Sequence, residues 1–265
     1  MIAAQRLEYI ISALREKHVV STNVLSNELH VSEMTIRRDL DELEHLGLCQ
    51  RTHGGAVLAG RSIIQETPYS ERELLNVLEK QAIAREAIQT IQDGDTIALD
   101  SGTSTLHLAR LLKEKENITV ITNSIHVILE LDCCKGIKVI STSGTLSRPY
   151  LKEDEKRDPC LVGSLAEETM RKFRPSIAFI GTSGLSIADG LSNSVYEEAS
   201  MKRTMIDVSA EIIVLADHTK FGHVASFIVG PISMINRLIT DPGISRESEE
   251  NISKLGVEVI KAQLE

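Results

Sequence analysis

The stretch Val31-Ser-Glu-Met-Thr-Ile-Arg-Arg-Asp-Leu40 decides the fold of the N-terminal part of the chain and sets the terms for the rest. The Ser32 hydroxyl is suited to an orphan backbone N–H, which predicts a helix from Glu33 to about His45, ending before Gly47. Ile36, Leu40 and Leu43 are spaced by four and three residues and fall on one face, which must be buried. Met34, Thr35 and Arg38 then turn outward, with Arg37 on the flank. A short helix that leads with its N-terminal turn, a small hydroxyl residue and two arginines fits a recognition helix in a DNA major groove. The plainer alternatives are that Arg37-Arg38-Asp39 is a solvated helix face and that Ser32 is only a cap.

Outward from this stretch, Leu7, Ile10, Ile11 and Leu14 form an i, i+3, i+4, i+7 stripe that predicts a first helix ending near Lys17. Val19-Val20 reads as a short extended link, Thr22 as the cap of a second helix with Leu25 and Leu29 inward, and His30-Val31 as the turn. Three short helices with such connections make a helix-turn-helix. After Gly47, an extended segment broken by Gly54-Gly55 suits a β-hairpin wing, from which Arg51 and His53 would reach phosphate or the minor groove. Residues 1–58 are therefore expected to form a winged helix-turn-helix domain, and 59–92 a linker and coupling helix. Within that span Leu74, Val77, Leu78, Ala84, Ala87, Ile88 and Ile91 predict one helix reaching the Asp93-Gly94-Asp95 turn.

The chain has 265 residues, 42% of them hydrophobic, enough for two domains. Aromatic residues make up 3% with no Trp, so the cores should be aliphatic. A net charge of −9 opposes polyanion binding, and residues 1–60 carry six Lys/Arg against eight Asp/Glu. Placement matters more than the sum: a local patch of Arg37, Arg38, Arg51 and His53 on an acidic protein predicts strongly salt-dependent DNA binding. The four cysteines show neither Cys-x-x-Cys spacing nor a secretory framework, and no signal peptide or long apolar run is visible. A reduced, cytoplasmic protein without structural metal is expected.

From Thr96 onward short aliphatic runs alternate with helical ones. Residues 96–100, 118–123, 137–141, 176–181, 211–217 and 237–241, with 257–260, read as buried parallel strands of an α/β domain spanning 93–265. Ligands of such sheets sit at the carboxyl ends of the strands, which points to Asp100, Asn123, Gly144, Gly181 and Asp217. The end at Asp100-Ser101-Gly102-Thr103-Ser104-Thr105, just before an apolar helix, combines close backbone approach, hydroxyls and a helix N-terminus. That is a phosphate cradle. It is neither a P-loop nor a dinucleotide fingerprint, and no cofactor is expected. Lys202 and Lys220 are candidates to pair with a phosphoryl group, and Glu197 or Asp100 to accept sugar hydroxyls. The alternatives are an ordinary strand-to-helix turn at 101–105 and a surface pair between Lys202 and Glu198.

Taken together, the Val31–Leu40 motif, Arg-Thr-His-Gly-Gly-Ala (51–56), Ser-Gly-Thr-Ser-Thr (101–105), Thr-Asn-Ser (122–124), Glu-Glu-Ala (197–199) with Lys202-Arg203, and Leu-Ala-Asp-x-x-Lys-Phe-Gly (215–222) resemble the DeoR family of bacterial transcriptional regulators. The resemblance implies a winged helix-turn-helix head and a sensor domain similar to the sugar-phosphate isomerase and CoA-transferase fold. It further implies a repressor of a carbohydrate-use operon, released by a phosphorylated sugar; a dimer or tetramer that places two heads on a palindromic or repeated operator is the expected working form. By motif, Ser32, Thr35, Arg37 and Arg38 are carried over as DNA residues, and Asp100, Gly102, Thr103, Thr105, Asn123, Lys202 and Lys220 as effector residues. Ser143-Gly144-Thr145-Leu146, the charged segment 152–158 and Cys160 depart from the family pattern, so the resemblance does not give the effector's identity. The alternative is an isomerase or transferase on the same fold, with Asp100 and Glu197 as candidate bases.

Overall fold

In the computed structural model, which describes residues 3–17, 19–45, 49–52, 54–58, 69–147 and 159–264, the contacts divide the chain into two units, Met1–Ser62 and Ile63–Glu265. The first contains α1 (Ala3–Lys17), β1 (Val19–Ser21), α2 (Thr22–Leu29), α3 (Glu33–His45), β2 (Cys49–Thr52) and β3 (Gly55–Leu58). Ile10, Leu14, Leu25, Leu29, Ile36, Leu40 and Leu43 close over one aliphatic core. The turn into α3 is fixed by Ser26, whose hydroxyl donates to Val31 O at 2.6 Å, and by the Ser32 Oγ, which accepts from Thr35 N at 3.2 Å. Ser32 is thus the cap its position suggests.

Two details of this unit depart from the sequence expectation. The Val19-Val20 link is a strand: β1 pairs antiparallel with β3, giving a three-stranded sheet ordered β1-β3-β2. Gly55 lies directly against the Val20 carbonyl, where a Cβ would collide, so this pairing requires glycine there. Thr22 opens α2 instead of capping it. Ser21 is the N-cap, makes no side-chain cap bond, and leaves Thr22 buried. Gly47 and His53 lie outside the described residues, as does the charged segment 152–158.

The second unit runs α4 (Tyr69–Leu74), α5 (Val77–Ile88), β4 (Thr96–Leu99), α6 (Thr103–Leu112), β5 (Ile118–Thr122), α7 (Ile125–Leu131), β6 (Ile137–Ser141), β7 (Thr145–Leu146), β8 (Leu161–Val162), α8 (Ser164–Met170), β9 (Ile177–Gly181), β10 (Gly184–Ser186), β11 (Gly190–Asn193), α9 (Tyr196–Val208), β12 (Glu211–Leu215), β13 (Phe227–Gly230), β14 (Arg237–Thr240), α10 (Arg246–Lys254) and β15 (Glu258–Lys261). Seven strands form one parallel sheet ordered β15-β14-β12-β9-β4-β5-β6. Alternate side chains feed two cores, as a sheet covered on both faces requires. Ile97, Leu99, Ile213 and Leu215 pack with α5, α6 and α7, while Ala98, Ile212 and Val214 pack with α8, α9 and α10.

The predicted single helix over 70–91 is two helices. Leu75-Asn76 breaks it, with Asn76 in the left-handed region at φ 52°, a conformation that asparagine tolerates better than most residues. The small antiparallel sheet β10-β11-β13 and the β7-β8 pair were not readable, because strands of two to four residues are too short to show a hydrophobic period.

Strand order sets the place of a site. Chain progression runs β4, β5, β6 in one direction and β9, β12, β14, β15 in the other, so the sheet reverses between β4 and β9. A crevice opens at the carboxyl ends of strands at such a reversal.

Candidate functional site

On the head, α3 buries Ile36 and exposes Met34, Arg37 and Arg38. The Thr35 and Ser32 hydroxyls are 2.9 Å apart at the helix start. Arg37 faces Glu33 at 3.7 Å with both side chains about half exposed, a pair too loose and solvated to hold the guanidinium. Asp39 plays a different part. It is buried and accepts from Arg6 Nε and a terminal nitrogen at 2.7 and 2.8 Å, a bidentate pair that ties α1 to α3. Arg51 is also committed internally: Nε meets Asp41 at 2.9 Å, a terminal nitrogen donates to Gly55 O at 3.0 Å, and its backbone N–H donates to Glu44 at 2.6 Å. It braces the hairpin against α3 instead of extending toward phosphate, because the acids late in α3 lie beside β2.

On the second unit, a cavity of about 350 Å³ lies at the sheet reversal. Its walls come from the β4–α6 loop (Ser101 to Ser104), the end of β9 (Gly181, Thr182), the residues after β12 (Asp217, Lys220), α9 (Glu198, Lys202) and the α4–α5 corner (Arg72, Asn76, Lys80). Gly102 has φ 138°, so glycine is needed for the loop to deliver the first turn of α6 to the cavity. Thr105 lies beneath, its hydroxyl donating to Gly102 O at 3.0 Å to brace the loop.

Asp100 and Lys202 form the floor. Both are buried, and the Lys202 ammonium sits on Asp100 Oδ2 while donating to Gly181 O at 3.1 Å; the same carboxylate oxygen accepts from Gly181 N at 3.0 Å. Burial opposes the ammonium, but Asp100, with Glu198 and Cys160 beyond it, outweighs that and raises the Lys202 pKa. Lys202 is therefore neither a surface partner of Glu198 nor a free grip for a ligand. It spans the reversal by joining α9 to the ends of β4 and β9. Lys220 is half-buried on the cavity wall; its backbone N–H donates to Asp217 O at 3.0 Å, while its ammonium has no hydrogen bond or ion pair among the described residues.

Three expected residues stand apart. Glu197 is exposed and off the wall; its neighbour Glu198 lines the cavity, accepting from Asn193 Nδ2 at 3.0 Å and Ser147 Oγ at 3.1 Å. Asn123 is buried and donates to Leu161 O at 3.2 Å, while Gly144 turns against Val162 O and Ala166. Asn123 is tied to β8 and Gly144 is exposed beside it, and neither lines the cavity. The sequence reading missed the α4–α5 corner. Lys80 is buried, and its ammonium donates to Arg72 O and, at 2.6 Å, to Leu75 O. Burial lowers its pKa to about 8, with Asp217 opposing and Lys220 and Arg72 adding to the fall. One signal was available: Lys80 occupies the apolar face that Val77, Ala84 and Ala87 define. Asn76 Nδ2 donates to Asp217 Oδ1 at 3.1 Å, which also accepts from Thr219 N at 3.0 Å.

The wall thus combines cations and hydroxyls with Glu198 and Asn193, groups able to pair with an anion and to exchange hydrogen bonds with hydroxyls. No carboxylate proposed as a base is poised for proton transfer, since Asp100 is spent on Lys202 and Glu197 lies outside. Among the described residues no group of His, Cys, Asp and Glu is placed to hold a metal ion, and no helix is long and apolar enough to cross a membrane.

Residues 6–61 match the DeoR-like helix-turn-helix domain and residues 75–242 the DeoR C terminal sensor domain. The HTH-type transcriptional regulator YulB of Bacillus subtilis is 35% identical over all of this chain and 98% of its own length. The glycerol-3-phosphate regulon repressor of Escherichia coli is 32% identical, with 91% of this chain and 92% of that protein covered. Among solved structures, a D-ribose-5-phosphate isomerase in complex with phospho-erythronic acid aligns at 19% identity and a TM-score of 0.39, over 54% of this chain and 52% of its own. The chain belongs to the DeoR family of DNA-binding transcriptional regulators, with a helix-turn-helix head followed by a sensor domain.

Proposed function

We propose that this regulator is a repressor of carbohydrate-utilisation genes and that a phosphorylated sugar, bound in the cavity at the sheet reversal, releases it from its operator. The observation that carries the reading is the meeting of the Ser101–Ser104 turn, at the N-terminus of α6, with the unpaired Lys220 on one cavity wall. Backbone N–H groups, hydroxyls and a partial positive charge at a helix start suit a phosphoryl group, and a nearby ammonium adds a charge-assisted bond. Glu198 and Asn193 then suit sugar hydroxyls. The relative whose name includes glycerol-3-phosphate fits the same class. Ser32, Thr35, Arg37 and Arg38 on the start of α3 are the proposed DNA contacts, presented in pairs by a dimer or tetramer, with residues 59–92 as the coupling segment.

Paired sugars with and without phosphate, screened by thermal shift, test this. A phosphorylated member that raises the melting temperature and then frees operator DNA in a retardation assay is the expected result, since a ligand that prefers the folded state stabilises it. Equal shifts from both members of every pair would remove phosphate from the reading.

A further inference from the structure

The two ends of α4 are held by different kinds of contact. Tyr69 anchors the start of α4, buried and stacked on His126 with ring centroids 4.7 Å apart. Along α4, Glu73 meets Arg110 at 3.3 Å in a half-exposed pair of little strength. The last turn has no apolar anchor: Leu74, Leu75 and Leu78 are 78, 52 and 60% exposed. What holds that end is polar. The Lys80 ammonium serves the carbonyls of Arg72 and Leu75, and the Asn76 amide reaches Asp217.

Lys80 itself is unusually placed. It sits in the first turn of α5, where a cation opposes the helix dipole, and its charge is stabilised by the carbonyl end of α4, where a cation is favoured. Lys80 also lines the cavity, with Lys220 and Arg72 close enough to depress its proton affinity, and at neutral pH it remains protonated. A dianion entering beside Ser101–Ser104 and Lys220 offers this ammonium an ionised acceptor. Bonds to an ionised acceptor are roughly twice as strong as those to neutral carbonyls.

We propose that Lys80 is the positioning residue that couples the cavity to α4: its ammonium caps the end of α4 in this structure and turns to a phosphoryl group bound in the cavity, uncapping that helix. The coupling rests on the reading of the cavity as a phosphate site. It gives that site a route to the segment leading back toward the head, since α4 is the first described element after residue 58. Only a difference in affinity for the capped and uncapped arrangements moves the balance, and Lys80 supplies it by having two alternative partners.

Amide hydrogen exchange of the full-length protein, with and without inorganic phosphate at matched ionic strength, tests the coupling. Phosphate should slow exchange at the amides of 102–106 and accelerate it at 73–75 on the order of 5-fold or more, the low end of ordinary coupling between sites. In Lys80→Met, amides 73–75 should exchange fast from the outset and ignore phosphate. Slowing at 102–106 with 73–75 unmoved in the wild type, or moved equally in Lys80→Met, overturns the coupling and leaves the phosphate site standing. No slowing at 102–106 overturns the phosphate site and the coupling with it. The wild-type comparison decides even where the variant fails to fold.

Discussion

The two lysines of the sensor domain and the two arginines of α3 are all cations read from short motifs, yet the fold treats them in opposite ways. Arg37 and Arg38 stand in solvent on a helix whose other face is sealed, with only a loose partner for Arg37. Lys202 is drawn under the sheet reversal onto Asp100, while Lys220, eighteen residues later, is left on the cavity wall. A cation that is to meet a partner outside the chain must be held near its place without being satisfied there. A cation that joins elements must be satisfied and dry.

The sharpest way to break this contrast is Lys202→Met. Removing one partner of a buried pair leaves Asp100 uncompensated and should destabilise the sensor domain by about 3–5 kcal/mol, read from the midpoint of urea unfolding. A loss under about 1 kcal/mol would return Lys202 to the class of free cations. Lys220→Ala should do the reverse. Stability should stay within about 0.5 kcal/mol of wild type, operator affinity should hold, and calorimetric affinity for the phosphorylated sugar found by the screen should drop by about 1.5–3 kcal/mol. Unchanged affinity would take Lys220 out of the site. Arg38→Ala, the smallest expected energy, should weaken operator retardation by about 1–3 kcal/mol per head with unfolding unaltered. Normal retardation, or lost retardation that tracks with lost stability, would make Arg38 a solvated or structural residue.

The head was legible because its signals are local. The Ser32 cap, the Ile36-Leu40-Leu43 face and the outward arginines lie within one short helix, and helix geometry alone converts their spacing into position. What the head concealed were its long-range ties: Arg6 to Asp39, Arg51 to Asp41 and β1 to β3 join residues that no periodicity relates. The sheet was equally legible, since aliphatic runs such as Ile97-Ala-Leu99 and Ile212-Ile-Val-Leu215 can only be buried. The cavity was legible in half. Ser101 through Ser104, Gly181 and Asp217 were reached from the strand ends and Lys220 as a phosphoryl partner, but the strand-end rule also admitted Asn123, which is tied to β8, and Gly144, which is exposed; neither lines the cavity.

Sequence alone determined the main helices and the parallel strands, the two-part organisation and the residue classes at each strand end, because burial of aliphatic faces and helix capping act over a few residues. Strand order was left to the tertiary structure, and strand order chooses which ends meet. By placing β4 beside β9 it paired Asp100 with Lys202 across 102 positions, turned Glu198 inward in place of Glu197, and brought Lys80 from α5 to the same wall. The reason is physical: a charge is spent or left available according to the nearest opposite charge in space, and chain separation does not set that distance.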